Sequence, residues 1–177
     1  MRDQRLPVGD EERFWGLVEA AWAPLGAEVE RARRALTHRA AGPGGDSRGA
    51  SIAVVEAALP KFLGNLRSAG EGLSAQELTD LDRVVERKLH DIDRADVQAV
   101  TDGSDDGFLY ARGFIVAMGR DFYTAVAEDP ETAVPDAECE RMCYFFAHLH
   151  HERHGAFPDT GSGISRESCS NPAGWPR

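Results

Sequence analysis

The chain has 177 residues, 42% of them hydrophobic, and carries 20 Lys plus Arg against 30 Asp plus Glu, a net charge of −10. That length supports one domain with a proper core and leaves no room for two comfortable ones. The acid excess excludes a nucleic-acid surface, which needs clustered cations, and with no apolar run of spanning length and no leader pattern a cytoplasmic protein without a membrane partner is expected.

Residues 1–9 are polar, with Pro7 and Gly9, and read as disordered; a helical domain then spans 10–155. Asp10 is placed to cap a first helix whose Phe14, Trp15, Val18 and Trp22 share a face, and Pro24 should end or bend it. A second helix over 27–40 turns Val29, Ala32 and Leu36 inward, leaving Arg31, Arg33 and Arg34 mostly outside. Residues 41–50, Gly-rich around Pro43, read as a flexible linker; they lack the Lys-Ser/Thr pair that a phosphate loop requires. Ser51 then caps a helix lined by Ile52, Val55, Leu59 and Leu63, with a kink expected at Pro60.

Ser74 and Glu77 have capping-box spacing and open a helix with Leu78, Leu81, Val84, Val85 and Leu89 on one side. A short helix or turn follows over 91–97. Ser104 next caps what reads as one long central helix over 104–126, striped by Ala111, Ile115, Met118 and Phe122, widened by Phe108, Phe114 and Val126, and stopped by Pro130. A last long helix is expected over 136–153, capped by Asp136, packed through Met142, Phe145, Phe146 and Leu149, and ended by Gly155. Residues 156–177 form an irregular tail in which Trp175 is the one anchor. No alternating strand pattern of useful length occurs. The expected fold is all-α: a single-domain bundle of about six helices with an irregular C-terminal tail.

The charge is unevenly spread. Residues 71–106 alone sum to −7, against +1 for 1–70 and −4 for 107–177. An acidic middle suits a cation, an amine or a basic partner, although carboxylates on a solvated helix face also serve solubility alone. Arg outnumbers Lys eighteen to two, the residue bias of a high-GC bacterial genome. Cys139 and Cys143 sit four apart, a spacing that seldom meets disulfide geometry on a helix, so reduced thiols are expected.

At Phe14-Trp15, at 104–108, at Arg112-Gly113, across 119–123 and at Asp129-Pro130, the chain resembles a bacterial family, domain-of-unknown-function family 4240. Its ending, 155–158 and Gly174-Trp175, is similar to the family's. Where members carry a Trp-containing segment before the Ser-Asp-Asp motif, this chain reads His90-Asp91-Ile92-Asp93. The resemblance implies a fold and no established reaction.

Asp105 and Asp106 are the leading candidates for chemistry. They point about a hundred degrees apart on a helix and cannot share a proton with each other. As a catalytic set, one would serve as general base, with Arg112 and Tyr110 orienting a substrate. As structure, both would complement the helix dipole, with Arg112 pairing one of them. Cys139, Cys143, His150 and His154 share a helical face, but a rise of roughly 22 Å from first to last rules out one zinc site. His150 and His154 could still supply two ligands to a divalent metal if a carboxylate joined them; no other cofactor is indicated. Cys169 has no assigned base in the tail.

Two functional expectations follow. One is a binding or accessory module whose acidic groove, beside the Ser-Asp-Asp helix start, engages a protein or peptide. The other is a small enzyme, tailoring a natural product, that uses Asp105 or Asp106 with Arg112 on a small-molecule substrate.

Overall fold

A computed structural model of the chain describes residues 8–38, 45–101 and 104–175. Among them every regular element is helical: α1 (Val8–Trp22), α2 (Ala27–Thr37), α3 (Gly45–Gly70), α4 (Ala75–Asp91), α5 (Ala95–Thr101), α6 (Asp105–Ala117), α7 (Arg120–Glu128), α8 (Glu140–Cys143) and α9 (Phe145–His154), with 3-10 turns at Ala23–Leu25 and Pro130–Thr132. None is long and apolar enough to cross a membrane. The all-α class is as expected, in more and shorter pieces.

α6 lies at the centre, packed against α4, α7 and α8. Between Phe108 and Ala117 every residue but Tyr110 is buried, and each phenylalanine so removed from water contributes about 2 kcal/mol. Its start is capped as expected, the Ser104 hydroxyl accepting from the Gly107 amide at 3.3 Å. An aromatic layer on α1 completes the core. Phe14 meets Trp15 and Phe146 edge-on at 4.8 and 6.1 Å, and Trp22 stacks on Phe62 of α3 at 4.4 Å.

α4 begins at a complete capping box: Ser74 accepts from the Glu77 amide, and Glu77 accepts from the Ser74 amide at 2.7 Å. Arg13 of α1 joins the same carboxylate at 2.6 Å. The amide, the guanidinium and the serine hydroxyl together push the Glu77 carboxyl down to about 2.

The long helix expected over 104–126 is broken into α6 and α7. Gly119 stands at the break with φ +98° and ψ 173°, a conformation open essentially to glycine alone. The carbonyls left over at the end of α6 are taken by distant side chains. Trp22 Nε1 donates to Ala117 O and Arg33 Nη2 to Met118 O, both at 2.7 Å. Arg33, expected outside, is therefore buried.

The helix expected over 136–153 is also divided. Asp136 has φ +58° and caps nothing; α8 is a single turn, and Tyr144, at φ −128°, separates it from α9. α8 presses on α6 where Gly113 has no side chain, since a Cβ there would lie 2.5 Å from Cys139 O and 2.6 Å from Cys143 Sγ. Gly155 ends α9 in the left-handed conformation, as expected.

Smaller corrections concern the N-terminal half. α1 starts at Val8, so Asp10 lies in its first turn. α3 starts at Gly45, which makes 45–50 of the expected linker helical and puts Ser51 inside the helix. Residues 1–7 of the expected disordered start and 41–44 of the linker lie outside the described residues. α3 runs through Pro60.

The C-terminal tail contains no helix but is a strap laid across α4 and α6. Its firmest attachment is Asp93, fully buried between α4 and α5, whose carboxylate accepts from the amides of Cys169, Ser170 and Asn171 and from Trp175 Nε1 at 2.7 to 3.1 Å. Trp175 thus anchors the chain end as expected, and it meets Phe108 of α6 at 6.1 Å.

Candidate functional site

The residues expected to work together are held apart. Asp105 and Asp106 are exposed in the first turn of α6, and their carboxylates form no ion pair among the described residues. Arg112 faces inward and is fully buried. Its guanidinium donates to Leu89 O at 2.9 Å, Arg166 O at 3.0 Å and Ser168 Oγ at 3.2 Å, and lies 4.7 Å over the Phe108 ring. The expected pairing of Arg112 with one of the aspartates is not formed, because the strap occupies the guanidinium first. Only the Asp105 backbone joins this network, its carbonyl accepting from Ser168 Oγ at 2.6 Å.

Tyr110, the other candidate, is half-buried and lies near Glu140. The Glu140 charge, then burial, then Asp106 hold its hydroxyl above the usual tyrosine value. It sits in a field of carboxylates.

His150 and His154 do adjoin, with ring centroids 5.0 Å apart. His150 Nδ1 is 2.6 Å from Ala156 O, so that nitrogen carries its proton there and only Nε2 remains open. No group of three His, Cys, Asp or Glu that could hold a metal occurs among the described residues. The buried thiols are inert, burial pushing Cys139 to about 11 and Cys143 to about 12.

Most of the acidic middle segment is consumed within the fold. Glu77 pairs with Arg13, Asp80 with Arg83, Asp96 with Arg94, and Asp82 and Glu86 share Arg166. Asp93 is satisfied by the strap. Outside that segment, Glu56, Glu138 and Glu140 have no ion-pair partner among the described residues.

They rim a shallow furrow of about 360 Å³ between α3 and the extended approach to α8. Leu59, Pro60, Leu63 and Cys139 form its apolar floor, with Glu56, Glu138, Glu140 and Arg141 around it. None of these charged side chains is ion-paired among the described residues. A second hollow of about 250 Å³ shares Glu140 and Arg141 and continues past Tyr144, Phe145 and Leu149 to the Arg67–Glu152 ion pair. Through Glu140 and Tyr110 the furrow adjoins the Asp105-Asp106 turn, and Glu138 Oε1 comes within 3.5 Å of the Cβ position of Gly107. Sequence reasoning missed Glu138 and Glu140 by drawing a helix through them. The signal was there: 137–140 alternates apolar and acidic, the period of an extended chain.

A larger cleft of about 600 Å³ opens between α1, α2 and the start of α7. Its arginines are already engaged: Arg33 by Glu19 at 2.9 Å and Glu30 at 3.1 Å, Arg34 by Glu30 at 2.7 Å, and Arg120 by Glu12 at 2.8 Å. With Gly119 at its base, this cleft reads as the clamp that fixes the α6–α7 break.

The sequence profile of a family described as "Protein of unknown function (DUF4240)" matches residues 54–153, more than half of the chain, and the chain belongs to that family. The matched span runs from within α3 to the end of α9 and contains every residue of the furrow; the strap lies beyond it. No curated protein and no solved structure matches the chain.

Proposed function

We propose that this DUF4240 member is a binding module that engages a basic, partly apolar peptide or protein segment along the furrow between α3 and residues 138–141. One observation carries the reading: Glu56, Glu138 and Glu140 stand around an apolar floor without an ion-pair partner among the described residues, while many of the carboxylates of 71–106 are engaged inside the fold. Asp105 and Asp106 extend the same field. Apolar side chains of the segment would cover Leu59, Pro60 and Leu63, and its cations would meet the rim. A floor without convergent acid and base groups favours binding over turnover.

The test is calorimetric titration with a synthetic amphipathic peptide of Lys, Arg and Leu. The double charge reversal Glu138→Lys/Glu140→Lys should weaken binding by about tenfold or more, a loss of about 1.4 kcal/mol per decade. Raising the salt should weaken the native protein's binding in the same direction. Equal affinity in the variant and the native protein rules the reading out.

A further inference from the structure

The strap reads as a bound peptide. From Thr160 to Ser170 its even-numbered residues are half-buried and its odd-numbered residues exposed, the period of two of an extended chain, although it pairs with no strand. Each inward polar side chain meets the helical body. Thr160 and Ser162 hydroxyls both donate to Glu86 Oε2, at 2.6 and 2.7 Å. Arg166 donates to Asp82 Oδ2 at 2.5 Å, to Glu86 Oε1 at 3.2 Å and to Cys143 O. Ser168 bridges Arg112 and Asp105 O, and Ser170 donates to Asp93 through both its amide and its hydroxyl. Alternate side chains seated in a groove are how extended peptides are recognised.

The strap is held in a way that permits release. No apolar residue of 156–174 belongs to the buried core, so between α9 and the anchor at Trp175 the attachment of the strap is mainly polar. Beneath it, Asp82 Oδ1 and Arg112 Nε are buried and have no hydrogen-bond partner among the described residues. Burial pushes the Asp82 carboxyl upward against the pull of Arg166. A buried charge pair of this kind adds little net stability, because desolvation offsets the attraction. Segments with few apolar contacts open locally before the whole molecule unfolds.

We propose that the crevice formed by Asp82, Glu86, Asp93 and Arg112 is a binding site for an extended segment that presents arginine with small hydroxyl residues at alternate positions. Residues 160–170 are its resident intramolecular ligand, exchangeable for a segment of the same chemistry from outside. The acidic walls fit an arginine, Glu86 fits two hydroxyls two residues apart, and Arg112 fits a backbone carbonyl. This site is separate from the furrow and does not depend on it.

The test uses the full chain and a fluorescein-labelled synthetic peptide of residues 158–172. Arg166→Ala loosens the resident strap, so by fluorescence anisotropy the labelled peptide should bind this variant at least about tenfold more tightly than the native protein. The same peptide with alanine at the arginine position should not bind. Equal binding to native protein and variant, or none to either, overturns the proposal. Arg166→Lys, which keeps the charge and loses the fork, should give an intermediate affinity. Hydrogen exchange on the native protein decides the matter even if Arg166→Ala does not fold. The amides of Cys169, Ser170 and Asn171 should exchange well before those of α4 and α6, and exchange only together with those helices contradicts a releasable strap.

Discussion

Gly119 concentrates the constraints of the fold in one residue. A Cβ at this position would collide with Glu19 and lie 2.7 Å from Arg33 Nη2, and the backbone conformation itself excludes other residues. Gly119→Ala should therefore cost about 2 kcal/mol or more, read as a lower denaturant midpoint with unchanged slope. Glu77 makes a separate prediction. Its folded carboxyl is depressed from 4.5 to about 2, so the unfolded chain binds the additional proton between those values. The stabilisation is complete above pH 4.5 and lost as pH falls toward about 2. Urea midpoints measured across that window should fall less in Glu77→Gln than in the native protein.

Elements were legible where local signals decided them. The capping box at Ser74, the cap at Ser104, the stop at Pro24 and the glycine after α9 depend on neighbours within a turn, and all stand as the sequence implied. Both long helices were overdrawn for one reason. An apolar period continues across a break when the break is stabilised from far away, here by Trp22 and Arg33 at the end of α6. The place where α8 touches α6 had a sequence signature, Gly113, whose meaning depended on a partner that no periodicity reveals. Gly113→Ala should push α8 off α6 and cost about 1 to 3 kcal/mol, seen as a thermal midpoint about 2 to 4 °C lower per kcal/mol. Of the candidate site, Tyr110 and the two aspartates were legible as an exposed acidic turn. Arg112 was not, because its partners lie on α4 and on the strap, 23 to 56 residues away.

At the scale of the whole molecule, net charge and free charge differ. Much of the most acidic stretch of sequence is engaged within the fold, whereas Glu138 and Glu140, in a less acidic stretch, have no ion-pair partner among the described residues and rim an apolar furrow. Counting carboxylates along a chain locates an acidic segment; only the fold tells which of them face a partner. The direct measurement is where a basic amphipathic peptide lands on the isotopically labelled protein. Amide shifts on titration should concentrate at residues 56–63, 105–110 and 138–141. Shifts confined to the cleft of α1, α2 and α7, or absent altogether, would contradict the account.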